Sequence, residues 1–533
     1  AQCVQANPAG PDVVSGSASF AQPSANVLNV TNSHNAIINW QSFDIGPGQT
    51  TNFIQPSSSS AVLNQVLSNN PSQIHGNLNS NGRVFVINQH GLLIGAGAQI
   101  NTAGFYGSTL NITNEDFLNG NLKFEGGGLG GIANYGYIHA GDGGNVVLIA
   151  PDIENGGVIE VDGGNVILAA GESITITSLN DASVEFELQS EDDSIINLGE
   201  IIANQGAVGL FAGNLTHSGA INATGLVRNA DGSISLVAQQ DIEVTETATL
   251  NVDGDAGGNI KVQSHHGDVY FAGSASAQGT SGSGGHIEIL GDRVGIFGAA
   301  EVNASGQSGG GEVLIGGDFQ GQGETQTATQ TQVSTDAHIH ADAIESGDGG
   351  KVIVWADDYT LFEGEATVIA GSASGDGGFI EISGKGNLGY YGSVNASSSH
   401  GAAGSVLFDP TNVVIETPGT TVLPANPLTF ATSPGANLTI DPIAITDATD
   451  MGTDVTIQAD RDITINDDII TNEGGAGGNL TFQAGQSIFI NANITTDNGN
   501  LKLFANDLAA DSTNRGGGVA NITMLSGTTI DTG

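Results

Sequence analysis

The sequence predicts an all-β protein folded as a parallel β-helix, a solenoid whose coils each add short strands to long parallel sheets. A Gly-Gly doublet followed by a short run of Val, Ile or Leu recurs along the chain, and a second short strand lies between its copies. Sustained helical periodicity is absent. Units this small cannot bury a core alone, so we expect them to stack. The doublets begin at Gly143, Gly163, Gly257, Gly284, Gly310, Gly349, Gly377 and Gly477.

The repeated strands alternate apolar residues with Asn, Thr, Asp or Ser. This alternation predicts one face inside the coil and one face outside. The second strand appears as Ile221-Asn222-Ala223 and Val302-Asn303-Ala304, among other copies. The corners between strands need a positive φ, so we expect the glycine doublets to supply it.

Composition excludes several classes of protein. The 533 residues include 10 Lys+Arg and 56 Asp+Glu, which gives a net charge of −46 and argues against nucleic-acid binding. The 81 Gly show no period of three and Pro numbers 13, so collagen is excluded. No apolar run reaches the roughly 18 residues of a membrane-spanning helix. Cys3 is alone, so an internal disulfide cannot form.

Ordered segments within roughly residues 10–125 carry a family resemblance. They include the runs NAIINWQSFDIG at 35–46, NFIQP at 52–56, AVLN at 61–64, SQIHG at 72–76, NGRVFVIN at 81–88 and GLLIGAGAQIN at 91–101. In these segments the chain resembles the N-terminal region of two-partner secretion exoproteins, the filamentous haemagglutinin and high-molecular-weight adhesin family. That family has Asn-Pro-Asn-Gly-Ile where this chain has Asn88-Gln89-His90-Gly91-Leu92. The turn-forming Asn and Gly are retained, but the Pro is not.

The resemblance implies a right-handed β-helix with an N-terminal cap and extra-helical β-hairpins. It divides the chain into a secretion domain at residues 1–245, shaft repeats at 246–408 and further repeats at 409–533 after a Pro- and Thr-rich break. The start at Ala1 fits removal of a signal peptide, and the end within the repeat pattern predicts a longer protein. The break is expected to interrupt the coil near Asp409-Pro410.

The resemblance also implies a route and a role. Such proteins are secreted or displayed on the surface of Gram-negative bacteria through an outer-membrane TpsB-type transporter with POTRA domains. The residues implied in transporter recognition and in nucleating the fold are Asn35, Asn39, Trp40, Phe43, Gly46, Asn64, Asn88, Gly91 and Gly95. The expected function is that of a non-enzymatic adhesin or biofilm matrix fibre that contacts surface glycans or matrix polysaccharide.

The sequence leaves three alternatives to the adhesin role open. The first is the stalk of a contact-dependent toxin, and the second is a structural filament whose rods associate end to end through exposed strand edges. The third is a β-helical polysaccharide-active enzyme. The scarcity of basic residues argues against this alternative, because such enzymes need cationic groups to bind acidic sugars.

Two groups of residues raise the question of metal binding. Asp253, Asp255, Asp357 and Asp358 lie in turns that would suit Ca²⁺, although solvated turn carboxylates give the same pattern. His338 and His340 alternate along one strand and would share a face, as two ligands of a transition metal require. The pair His265-His266 is a second candidate for such a site. Exposed strand histidines are the alternative in both cases.

Overall fold

The computed structural model describes residues 7–141, 143–179, 182–187, 193–225, 232–417, 439–471, 477–508, 510, 515 and 517–533. Cys3 and most of the Pro- and Thr-rich break lie outside the described residues. The chain divides into two compact units, residues 1–252 and 253–533. In each unit the chain passes in turn through a first, a second and a third sheet, and equivalent strands of successive coils pair in parallel. This is the predicted parallel β-helix.

In the first unit, each sheet collects one strand per coil. The first sheet contains Ala36–Trp40, Ala61–Val66, Arg83–Ile87, Gly104–Ser108, Val146–Ala150, Val166–Ala170, Ala207–Ala212 and Ser233–Ala238. The second contains Ser72–Ile74, Leu92–Ile94, Ile132–Asn134, Asp152–Asn155, Ser194–Asn197, Asn214–His217 and Ile242–Val244. The third contains Val27–Asn32, Thr50–Ile54, Asn77–Ser80, Gln99–Thr102, Tyr137–Ala140, Val158–Asp162, Glu200–Asn204, Ala220–Asn222 and Thr249–Asn251.

Antiparallel strands form the predicted cap and the extra-helical hairpins. Asp12–Ser15 pairs antiparallel with Ala36–Trp40, and Ala18–Ser24 pairs antiparallel with Val27–Asn32. These strands occupy the edge that the first coil would otherwise expose. Outside the coils lie helix Asn114–Asn119 and a four-stranded antiparallel sheet of Leu110–Asn111, Lys123–Gly127, Ser173–Ser178 and Ser183–Glu187.

The second unit repeats the scheme. Its first sheet contains Asn259–Ser264, His286–Leu290, Glu312–Ile315, Lys351–Ala356, Phe379–Gly384, Ser405–Phe408, Asp454–Ala459, Leu480–Ala484 and Leu501–Ala505. The second-sheet strands are Asp268–Phe271, Arg293–Ile296, Gln330–Val333, Tyr359–Phe362 and Asn387–Tyr390. In later coils their place is taken by a separate four-stranded sheet of Val413–Ile415, Ile463–Ile465, Ile488–Ile490 and Ile522–Met524. The third-sheet strands are Ser274–Ser276, Glu301–Asn303, His338–His340, Glu365–Thr367 and Ser393–Asn395, and a separate three-stranded sheet of Ile469–Ile470, Ile494–Thr495 and Ile530–Asp531 follows in later coils.

Two short helices lie among the described residues of the second unit. A 3₁₀ turn forms at Phe319–Gly321 and an α-helix at Pro442–Asp450. Asp441 caps the α-helix by accepting a hydrogen bond from the Ile443 N–H, and Pro442 stands at its first position, where its missing N–H costs nothing. In the described part of the chain, no helix combines the length and the apolar character needed to cross a membrane.

The prediction that the doublets supply a positive φ is confirmed for two of the eight and wrong for the others, because neither glycine has a positive φ in the doublets that begin at Gly257, Gly284, Gly310, Gly349, Gly377 and Gly477. Gly143 and Gly163 do have positive φ, at 69° and 65°. The glycine that follows has another reason: a methyl group at Gly164 would lie 1.6 Å from the carbonyl oxygen of Gly144, one coil earlier. In the second unit a methyl group at Gly311 would likewise lie 2.1 Å from the Gly285 oxygen. Close approach of successive backbones therefore requires the second glycine.

Candidate secretion site

A buried hydrogen-bond chain joins the first coils of the first unit. Trp40 Nε1 donates to Asn64 Oδ1 at 2.9 Å, and Asn64 Nδ2 donates to the Phe85 carbonyl at 3.0 Å. Trp40 and Asn64 are fully buried. Because buried polar groups are costly without partners, this arrangement holds three successive strands in one register. The structure thus brings together the predicted residues Trp40 and Asn64.

Aromatic rings connect this chain to the cap. Phe20, on the cap hairpin, meets Trp40 edge to face with centroids 5.6 Å apart. Trp40 meets Phe43 in the same way at 5.9 Å, and Phe43 stacks on Phe53 at 6.3 Å. Each such pair adds stability beyond its buried area. The ring cluster therefore fixes the cap hairpin onto the first coil.

The remaining residues of the first predicted segment shape its backbone. Asn35 adopts a left-handed conformation with φ 54°, which Asn tolerates better than most residues. Gln49 Oε1 accepts from the Gly46 N–H at 2.8 Å and from the Asn7 N–H at 3.1 Å, which ties the chain before the cap to the first coil. Asn39 lies opposite Asp12 of the antiparallel cap strand.

The second predicted segment forms the turn between Arg83–Ile87 and Leu92–Ile94. Asn88 Nδ2 donates to the Asn70 carbonyl and to Ser72 Oγ, both at 3.0 Å, and its Oδ1 accepts from the His90 N–H. Gly91 has φ 123°, and its N–H donates to the Asn88 carbonyl at 3.1 Å. Asn88 therefore organises this turn without the Pro that the family pattern places next to it.

Gly95 ends the same segment. A Cβ there would lie 2.1 Å from His75 Nδ1, so the position needs a residue without a side chain. The nine predicted residues thus separate into a cap-and-aromatic group, from Asn35 to Asn64, and a turn group, from Asn88 to Gly95.

Known proteins resemble the chain in this region and beyond it. A sequence model of the TPS secretion domain matches residues 5–262. The crystal structure of the HMW1 secretion domain from Haemophilus influenzae aligns with a TM-score of 0.60 and 33% identity, covering 74% of this chain and 99% of that one. A heme/hemopexin-binding protein of Haemophilus influenzae strain Rd is 35% identical over 184 residues, or 31% of this chain and 20% of the relative. A second heme/hemopexin-binding protein of Haemophilus influenzae is 41% identical over 80 residues, 15% of this chain and 9% of that protein.

A capped parallel β-helix with antiparallel extra-helical strands defines the class: a bacterial exoprotein carrying a secretion domain. The chain belongs to the two-partner secretion exoprotein family. It is accordingly a secreted or cell-surface protein. The chain spans about a fifth of the length of the first curated relative that it matches.

Sequence reasoning missed an apolar cluster on the outer face of the first sheet. Phe85 stacks on Tyr106 with centroids 4.1 Å apart and meets Phe117, on helix Asn114–Asn119, at 5.2 Å. The runs VVLIA and VILAA at 146–150 and 166–170 are buried on both faces. Continuous apolar runs of this kind indicate cover on both sides of a strand and are the signal that could have predicted the cluster.

A buried asparagine ladder at the end of the second sheet was also missed. Asn134 Nδ2 donates to Asn155 Oδ1 at 2.8 Å, and Asn155 Nδ2 donates to Asn197 Oδ1 at 2.8 Å. The ladder ends at His217, whose Nδ1 lies 3.1 Å from Asn197 Nδ2 and whose Nε2 lies 3.3 Å from the Thr249 carbonyl. The recurrence of Asn at the last position of successive strands was the available signal.

Because His217 is buried, we expect the first unit to lose stability at acidic pH. Burial lowers the pKa of His217 to about 4, from an ordinary value of 6.5. The unfolded chain therefore binds more protons between these values, and stability should fall by about 3 kcal/mol as pH drops from 6.5 to 4. We expect His217→Asn, which extends the ladder, to flatten this pH dependence in chemical denaturation. His34→Asn, at an exposed histidine of the same unit, should keep it; equal pH dependence in both variants would contradict the assignment.

The predicted calcium positions serve coil-to-coil hydrogen bonds in the structure. Asp253 Oδ1 accepts from Ser276 Oγ at 2.6 Å and from the Gln278 N–H at 2.7 Å. Asp357 Oδ2 accepts from Thr327 Oγ1 at 2.7 Å. The main-chain carbonyls of the other two aspartates, Asp255 and Asp358, accept hydrogen bonds from the N–H groups of Gly282 and Asn387. Calcium at these positions stays a prediction.

The paired histidines share a face, as alternation predicts. The rings of His338 and His340 stack with centroids 5.9 Å apart and an interplanar angle of 11°. His338 Nδ1 lies 3.2 Å from a Glu365 carboxylate oxygen, and His340 Nδ1 lies 2.7 Å from Thr367 Oγ1. Among the residues that the structure describes, no group of three or more His, Cys, Asp or Glu side chains is arranged to hold a metal ion.

Proposed function

We propose that this chain is the secretion domain and part of the shaft of a surface adhesin or biofilm-matrix fibre, and that it acts without catalysis. The observation that carries the proposal is the capped coil that Trp40, Asn64 and the aromatic cluster hold together. Coil-by-coil stacking lets folding propagate from such a cap, which suits a chain that crosses the outer membrane unfolded. Residues 1–245 are the proposed secretion domain, 246–408 the shaft, and 409–533 further repeats.

The proposed address for the transporter, including its POTRA domains, comprises the cap-and-aromatic group and the turn group. Surface glycans or matrix polysaccharide are the proposed contacts outside the cell. End-to-end association, a toxin stalk and a polysaccharide-active enzyme are the competing roles. Filaments longer than a single molecule in electron micrographs would favour end-to-end association. A toxin domain in the complete gene would favour the toxin stalk, and release of reducing sugar ends from polysaccharides would favour the enzyme.

The turn group offers a direct test of export. We expect the double variant Asn88→Leu/Gly91→Val to abolish most secretion, because it removes the turn hydrogen bonds and places a β-branched residue at φ 123°. Gly97→Ala is the matched control, since its Cβ would have 3.9 Å of clearance from the His75 carbonyl oxygen. Secreted and cell-retained protein are measured by immunoblot beside the transporter. Normal secretion of the double variant would contradict the assignment.

The adhesive role is tested in cells. A strain lacking the gene should lose clumping and surface attachment relative to its parent, and secretion of the wild-type protein should restore both. Unchanged clumping and attachment would shift the assignment to a toxin stalk.

A further inference from the structure

A cleft lies on the outer face of the first sheet in the second unit. The loop between Glu312–Ile315 and Gln330–Val333 folds over this face and forms one wall of a cavity of about 400 Å³. This volume falls within the range of small-molecule sites, which is roughly 300–1,000 Å³. The cavity is lined by polar side chains and one indole, including Gln320, Gln322, Trp355, Lys385, Asp409 and Gln458.

The floor of the cleft is a row of amide and carboxyl groups that crosses the strands. Gln458 and Gln483 are direct neighbours in the parallel register, and Gln458 Nε2 donates to Gln483 Oε1. Asp409 follows strand Ser405–Phe408, which pairs with Asp454–Ala459. Adjacent strands are about 4.8 Å apart, so the row presents evenly spaced hydrogen-bonding groups along the cleft.

Gln320 holds the wall in place. It adopts φ 52° and ψ 27°, a left-handed conformation that is unfavourable for Gln. Its backbone N–H points at the Glu381 carboxylate, 3.2 and 3.1 Å from the two oxygens, and Glu381 is fully buried. Its Nε2 lies 3.1 Å from Asp409 Oδ2 and 3.4 Å from Gln458 Oε1. Strain of this kind persists only where surrounding contacts enforce it, so the wall is preformed.

Glycines bring the same loop onto Trp355. A Cβ at Gly317 would lie 2.8 Å from Trp355 Cδ1, and a Cβ at Gly321 would lie 2.6 Å from Trp355 Cε2. The loop backbone therefore lies directly on the indole, which also packs against Ile353 in a small outer cluster. Trp355 is only 3% exposed, so its indole supports the loop at one end of the polar cleft and leaves the polar side chains to meet a ligand.

The lining selects a class of ligand. Strands Phe379–Gly384 and Ser405–Phe408 are paired on both sides, so they offer no free edge to an extended peptide. Four aspartates and one cation, Lys385, are among the described lining residues, and this balance repels anions. The aspartates are Asp357, Asp409, Asp460 and Asp507. What remains is a row of donors and acceptors suited to hydroxyl groups. We propose that this cleft binds an uncharged oligosaccharide; the assignment deepens the proposed adhesin function and rests on it.

Tryptophan fluorescence provides a direct test on the full chain. The chain has two Trp, and only Trp355 lines the cleft, so a change that the wild-type chain shows and Trp355→Phe lacks comes from the cleft. We expect a saturable fluorescence change with at least one of cellohexaose, maltohexaose and chitohexaose at millimolar concentration, and none with hexagalacturonate. No change with the three neutral sugars, or an equal change with hexagalacturonate, would overturn the proposal, as would a change produced by Ca²⁺ alone.

Matched glutamine variants locate the site. Gln458→Ala/Gln483→Ala should weaken binding at least tenfold, while Gln307→Ala, in the same unit and outside the cleft lining, should leave it unchanged. Binding that survives the double variant would overturn the proposal. The same variants are also assayed for cell attachment. If the gene deletion abolished attachment and the cleft variant did not, the adhesin function would stand, and the proposal that the cleft contributes to it would be wrong.

Discussion

Trp40→Ala is expected to destabilise the first unit by about 3–5 kcal/mol and to reduce secretion severely. The substitution removes a fully buried indole that contacts Phe20 and Phe43. It also leaves the buried Asn64 Oδ1 without its donor, which adds a further cost. Loss of the cap should expose the edge of the first coil. Urea denaturation followed by circular dichroism, and immunoblots of secreted protein, measure the two effects.

Leu67→Ala provides the control for this prediction. Leu67 is 64% exposed, so its truncation should change stability by less than about 0.5 kcal/mol. If Trp40→Ala and Leu67→Ala unfolded at the same urea concentration, the cap would not depend on the indole. If Trp40→Ala unfolded early but was secreted normally, the cap would stabilise the fold without serving export.

Gly164→Ala is expected to cost at least about 3 kcal/mol, although it adds a single methyl group. That methyl would lie 1.6 Å from the carbonyl oxygen of Gly144, so two coils must separate. The Val146 N–H donates to the Asn165 carbonyl at 3.0 Å beside this contact, and the separation would weaken that bond. Thermal unfolding and limited proteolysis of the full chain measure the effect.

The preceding glycine is the matched control. Gly163 has φ 65°, and nothing lies within 4 Å of a Cβ placed there. Gly163→Asn should therefore cost no more than about 1 kcal/mol, because Asn tolerates the left-handed region. A similar loss in both variants would mean that backbone conformation, rather than the close approach of coils, explains the doublet.

Resemblance and residue pattern together proposed the residues of the candidate site, whose role in secretion stays a prediction, but did not show how these residues are held together. The segments 35–46 and 88–95 were identified, yet the Trp40–Asn64 hydrogen bond joins residues 24 positions apart in the chain. The hydrogen-bond partners of Asn88 could not be predicted either, since Asn70 and Ser72 belong to the preceding coil. Sequence spacing does not reveal such pairs, because corner lengths vary from coil to coil.

The sequence by itself determined the parallel β-helix, because alternating apolar residues and recurring glycine doublets permit only stacked coils to bury a continuous core. Only the tertiary structure decided which side chains meet across coils. The ladder from Asn134 to His217, the outer cluster at Phe85 and the wall that Gln320 forms all depend on register between coils. The register between two coils depends on the lengths of all the turns that separate their strands. Which residues lie opposite each other is therefore decided only when the coils have stacked.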